Sequence, residues 1–232
     1  MMPFVTLRSV LLILSLVVAA PASALEPQFY FFGSFGAGEP DLGKLENKIK
    51  AVAEAANGNG GVGSHQADER DEIFSLGIGL QLHRYFAIEL SYLDLGSYEL
   101  EANGSHSNGQ GEVIAYSDAE VEVRGYGLHG VVIVPVTERF SGDLALGIAK
   151  LKTEVEGRYT RDYITPLGHL SEQEHYDLTL RDTVASVGVG THYAFTDMLG
   201  LRLNYRYYGG LGNIYEADES IDVLSIGLTF HL

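Results

Sequence analysis

Along most of its length the chain alternates, residue by residue, between a bulky apolar side chain and a small or polar one. In 72–83 one face carries Phe74, Leu76, Ile78, Leu80 and Leu82, and the other Ser75, Gly77, Gly79, Gln81 and His83. In 85–96, Phe86, Ile88, Leu90 and Tyr92 oppose Ala87, Glu89, Ser91 and Leu93; in 140–149, Phe140, Leu144, Leu146 and Ile148 oppose Asp143, Ala145, Gly147 and Ala149. The same rhythm puts Ser186, Gly188, Gly190 and His192 on one face of 184–193, and Arg202, Asn204, Arg206 and Tyr208 on one face of 199–208. It closes with Leu224, Ile226, Leu228 and Phe230 against Ser225, Gly227 and Thr229 in 223–230. A period of two over such spans predicts β-strands rather than helices. Segment 120–134 adds a strand with Tyr126, Leu128, Val132 and Val134 opposite Gly125, Gly127, His129 and Val131; 28–37 adds another, with aromatics at both parities and no assignable facing. The expectation is an all-β chain of eight antiparallel strands.

The connections alternate in length. Long segments are read as loops over about 38–70, 97–118 and 154–177, with a medium one over 209–219; tight turns are expected at His83–Tyr85, Pro135–Arg139 and Thr196–Met198. Long connections therefore fall at one end of the sheet, and short turns and both termini at the other. Within the first loop, Leu42, Leu45, Ile49, Val52 and Ala56 follow helical spacing, so a short helix is expected in 39–56 with Asp41 as N-cap, followed by a flexible Asn57–Ser64 hinge.

Eight antiparallel strands can close into a barrel with no free edge. A water-soluble barrel would show Lys, Glu and Thr outside; here the non-apolar face is Gly, Ser and Ala with isolated ionic groups, too small and too poor in Lys for that surface. It suits a narrow lumen, leaving the bulky face to lipid. Strands of this length span a bilayer when tilted, and backbone satisfaction in hydrocarbon then demands closure. Phe29, Tyr30, Tyr85, Phe86, Tyr92, Phe140, Tyr193, Tyr205, Tyr207 and Phe230 fall near strand ends, where interfacial girdles are expected.

Residues 1–24 have the form of a secretory signal: Arg8, an apolar run over Val10–Ala20, and Ala22-Ser23-Ala24 for cleavage. The mature chain is then 25–232, one domain; loss of Arg8 takes the net charge from −16 to −17. That charge argues against a nucleic-acid partner, because phosphate neutralisation needs basic surface. The absence of Cys excludes disulfides, thiolate metal sites and Cys nucleophiles.

The segments 85–96, 126–149, 191–207 and 222–232 resemble the OmpA-like family of small eight-stranded outer-membrane β-barrels, over nearly all of 27–232. The resemblance implies an exported protein of the Gram-negative outer membrane, with periplasmic turns and termini and extracellular loops. It also implies an interior salt bridge between Glu89 and Arg202. A second interior Lys–Glu pair of the family prototype falls on His129 and His192. The family ends in a Phe read by the barrel-assembly machinery, whereas Leu232 stands last here with Phe230 two before it. The peptidoglycan-binding domain that often follows such barrels is not expected.

Glu89, Asp143, Arg202, Arg206, His129, His192, Gln81 and Asn204 all carry lumen parity. In a narrow, low-dielectric lumen isolated charges are costly, and two acids with two arginines allow pairing. They read either as a polar plug that fixes register, which the small size of an eight-stranded barrel favours, or as a gated pore or proton path. His129 and His192 are weak metal candidates, as are the loop histidines His65, His106, His169 and His175, so no metal or cofactor is expected. No G-x-S-x-G is present, and the Ser–His neighbours His169–Ser171 and His106–Ser107 do not define a triad. The expected role is structural or surface-interacting, through the long loops. The alternatives are a small-solute channel and, further off, a lipid-modifying enzyme. Expected partners are outer-membrane lipid and lipopolysaccharide, to whose phosphates divalent cations could bridge the acidic loops, and a surface ligand of the loops. The barrel-assembly machinery and periplasmic chaperones are expected during biogenesis.

Overall fold

The computed structural model describes residues 27–41, 62–68, 71–108, 111–209 and 220–232. The signal segment and most of the expected helix lie outside these residues; Glu39, Pro40 and Asp41 instead end the first strand, paired with Asp222, Ile221 and Ser220. In chain order the strands are β1 (Gln28–Asp41), β2 (Val62–Asp68), β3 (Asp71–His83), β4 (Phe86–Asn108), β5 (Gly111–Pro135), β6 (Phe140–Thr165), β7 (Gly168–Ala194), β8 (Leu199–Gly209) and β9 (Ser220–His231). β2 and β3 pair with successive stretches of β4, Asp68–Val62 against Glu99–Ser105 and Phe74–His83 against Asp94–Phe86, so together they form one stave. Every pairing is antiparallel, and the β1–β9 and β4–β5 ladders close a ring of eight staves.

The expected facing holds around the ring. Ile78, Leu90, Leu128, Ile148, Val189, Leu203 and Ile226 are about half exposed, whereas Ala87, Glu89, His129, Ala145, Ala149 and Arg202 are buried. Small inward residues make room for large ones. On β3, a Cβ at Gly79 would overlap the Tyr30 ring and one at Gly77 the Phe32 ring. This settles the facing of β1: Tyr30, Phe32 and Ser34 point inward, Phe29, Phe31 and Phe35 outward. Tyr30, read from the sequence as a girdle aromatic, is therefore an interior residue.

The segments 97–118 and 154–177 are not irregular loops. The β4–β5 ladder runs unbroken from Ser97↔Glu122 to Asn108↔Gly111, and the β6–β7 ladder continues to Thr165↔Gly168. Along these extensions the polarity turns over. On β5 the bulky residues Tyr126 and Leu128 face outward, but a few residues on Val121 and Val123 are buried while Glu120 and Arg124 are exposed. On β6, Ile148 faces out while Leu151 and Val155 are buried between Lys150, Lys152 and Glu154. The lower barrel is thus built for a hydrocarbon surround and the upper part for water. The change of rule places one membrane boundary between Tyr126 and Arg124 on β5, and between Ile148 and Lys150 on β6.

β4 crosses that boundary with a bulge. Asp94 pairs with Arg124 and Ser97 with Glu122, so Leu95 and Gly96 together oppose Val123. Gly96 takes a φ of 88°, which a side chain would disfavour. The extra residue flips parity, so that Leu93 and Leu95 below it and Tyr98 and Leu100 above it all face inward. At the opposite end the connections are short. Thr137 Oγ1 accepts from the amides of Arg139 (3.3 Å) and Phe140 (3.0 Å). Thr196 Oγ1 likewise accepts from those of Met198 (3.3 Å) and Leu199 (3.0 Å). The two four-residue turns share one side-chain-to-backbone device.

Candidate functional site in the barrel interior

Antiparallel register brings residues distant in sequence to one level of the interior. Glu89 on β4 and Arg202 on β8 meet across it: Arg202 Nη1 donates to Glu89 Oε1 at 3.0 Å and Nη2 to Oε2 at 3.2 Å. Tyr30 Oη donates to Glu89 Oε1 at 2.9 Å, and Arg206 Nη2 lies 3.8 Å from Oε2. The Arg202 guanidinium also sits 4.5 Å from the centre of the Phe32 ring. One carboxylate is thus held by a two-pronged arginine, a phenol and a second arginine, the sort of satisfaction a buried charge requires.

The other residues of lumen parity are distributed around this centre. His129 Nε2 is bonded to Ser186 Oγ and His192 Nε2 to Thr229 Oγ1, each at 2.7 Å. The two histidines therefore have separate hydroxyl partners and share no ligand. Asp143 forms no ion pair among the described residues, because both arginines turn to Glu89. With Asn204 it closes over Gly190, where a Cβ would lie 2.7 Å from Asp143 Oδ2. Gln81 borders the space below. Ser91 Oγ, His129 Nδ1, Asn204 Oδ1 and Arg206 Nε are buried without a hydrogen-bond partner among the described residues.

The voids along the interior differ in size. At the short-turn mouth a cavity of about 340 Å³ has Glu89 and Arg202 in its lining, together with Gln81, Asp143, His192 and His231. Between the arginines and the next tier lies a void of about 20 Å³. That tier is apolar: Ile73, Leu93, Leu95, Tyr98, Val121, Val123, Leu151, Val184, Tyr208, Ile221 and Val223 form one buried cluster. On the outward face of the hairpin ladders lies a groove of about 640 Å³ flanked by Glu99, Glu101, Asp118, Glu120, Glu156 and Asp177.

The apolar tier is what reading the sequence missed. Its signal was present as Glu-Val-Glu-Val-Arg over 120–124 and Lys-Leu-Lys over 150–152, where charge alternates with apolar bulk in the sense opposite to the strands below. Tyr30 was missed for a different reason: aromatics at both parities of β1 conceal which ones face in.

A closed ring with lipid-type side chains outside and an ion-paired interior defines a transmembrane β-barrel. The chain belongs to the OmpA-like transmembrane domain family, whose model matches residues 30–232, and this places it among the outer-membrane barrels. No curated protein sequence matches. Similar solved structures include Ail, the attachment invasion locus protein of Yersinia pestis, in complex with the heparin analogue sucrose octasulfate (10% identity, TM-score 0.40, 88% of this chain and 99% of that one). Neisserial surface protein A is another (13% identity, TM-score 0.40, 87% and 96%). A third is the outer membrane protein OprG of Pseudomonas aeruginosa (11% identity, TM-score 0.40, 88% and 95%).

Proposed function

We propose that this barrel is a closed, non-enzymatic membrane anchor whose work is done by the β4–β5 and β6–β7 hairpins outside the cell, with its short turns and termini in the periplasm. Residues 1–24 serve as the cleaved export signal, and the barrel-assembly machinery and periplasmic chaperones deliver the chain. The observation that carries this reading is the buried apolar cluster standing above Arg202, with a void of about 20 Å³ beside the arginines. An open channel has no use for a plug of Leu, Val and Tyr above an ion pair, and eight staves leave space mainly for side chains. The polar residues Glu89, Arg202, Arg206, Asp143, His129, His192, Gln81 and Asn204 then act as a register-fixing network.

The channel reading has one observation in its favour, the 340 Å³ cavity at the short-turn mouth. Single-channel recording separates the two. The closed barrel gives no steady conductance, and Arg202→Ala stays closed because the apolar tier above it is intact. Reproducible steps from the wild type, or a sharp rise in Arg202→Ala, would make the barrel a conduit and the ion pair its gate. For enzyme chemistry, the Ser–His pair hydrogen-bonded among the described residues, Ser186 with His129, is buried inside the barrel, and His169 at the hairpin end faces Asp162 at 3.3 Å. Neither arrangement offers an activated serine to a lipid at the outer rim.

A further inference from the structure

On the outer surface, the strand register sets like charges side by side where the lipid-facing belt ends. Arg124, Lys152 and Arg181 stand directly across from one another on β5, β6 and β7. Lys150 lies one row lower on the same face of β6, between Tyr126 and Thr183. Like charges directly opposite in a sheet oppose folding unless something anionic lies between them. Arg124 is engaged by Asp94 at 3.4 Å and by Glu122, and Lys152 by Glu154 at 2.5 Å. Lys150 and Arg181 have no acidic partner among the described residues. Both are exposed.

Directly beneath the collar lie Leu128 and Ile148, about half exposed, and the edge-to-face Tyr92–Tyr126 pair with ring centres 5.6 Å apart. The cations therefore sit at the height of lipid headgroups. Neighbouring strands are about 4.8 Å apart, so one phosphate can reach both Lys152 and Arg181. We propose that Lys150, Lys152 and Arg181 bind the phosphate of an anionic lipid, lipid A of the outer leaflet, with its acyl chains lying on Leu128 and Ile148. The continuity of collar and apolar belt selects a lipid over free phosphate: an amphiphile satisfies both surfaces at once, and an inorganic ion only one. The inference rests on the hairpins facing outward, as read above.

The test uses the full barrel refolded into phosphatidylcholine nanodiscs, with lipid A as the probe and retained lipid counted by native mass spectrometry. With juxtamembrane cations contributing about 1 kcal/mol each, K150Q/R181Q binds lipid A roughly 30-fold more weakly, K150R/R181K keeps the wild-type affinity, and the remote R158Q stays within about twofold. A shift in electrophoretic mobility on boiling shows that each variant is folded. Lipid A binding by K150Q/R181Q within about twofold of wild type overturns the proposal, as does inorganic phosphate competing at lipid A's own concentration. Protease access to the β6–β7 hairpin on intact cells tests orientation separately, so a barrel inserted the other way round is distinguishable from a collar that binds no lipid.

Discussion

Arg202→Ala lowers the unfolding free energy of the barrel in lipid vesicles by about 3–5 kcal/mol, measured by urea titration, the cost of leaving one member of a buried pair without its partner. Glu89 is almost wholly buried and takes two of its three direct hydrogen bonds from this one guanidinium. Tyr30 and Arg206 remain nearby, but a phenol is neutral and Arg206 stands at 3.8 Å. Glu89→Leu combined with Arg202→Met costs less than Arg202→Ala alone, because no uncompensated carboxylate remains; Arg206 then keeps the double variant short of full recovery. The deficit persists at high salt, since a pair this deep is poorly screened. A loss below about 1 kcal/mol would place the pair in water and remove it from the interior.

Leu203→Arg gives the second large effect. Leu203 lies midway along the outward row from Leu199 to Tyr207 and is 47% exposed. If that exposure is to hydrocarbon, an arginine there destabilises by about 2–4 kcal/mol, whereas Tyr207→Arg near the belt edge costs about 0–1 kcal/mol. A barrel facing water gives the opposite pattern, with a surface arginine tolerated within about 0.5 kcal/mol at either depth. The depth dependence, more than either value alone, identifies the solvent around the strands.

The lower barrel was legible because one rule governs it. A face built of Leu76, Ile78, Leu201 and Leu203 opposite Gly77, Gly79, Arg202 and Asn204 has one sensible arrangement once the strands are known to close. Glu89 and Arg202 were legible together because lumen parity and the family resemblance point to the same two residues. What the sequence concealed lies where the rule changes. Above Tyr126 and Ile148 the hairpins follow the water-soluble sense, with Val121, Val123 and Leu151 inside. Read by the membrane rule, their charges look like loops. The bulge at Leu95–Gly96 hides the same change on β4 by shifting parity partway along the strand. Asp143 was expected to share in the pairing of two acids with two arginines; geometry gives both arginines to Glu89, a choice that parity alone cannot make.

Because the chain has no Cys, a single spin label can be placed at any position without competing thiols. Labels at Leu90, Leu128, Ile148, Leu203 and Ile226, in bilayers, should be reached by dissolved oxygen and shielded from a water-soluble nickel chelate. Labels at Glu122 and Glu154 should show the reverse, with the crossover between Tyr126 and Arg124 on β5. Free access of the chelate to Leu128 and Ile148, equal to that at Glu122, would mean that water and not lipid surrounds the apolar face.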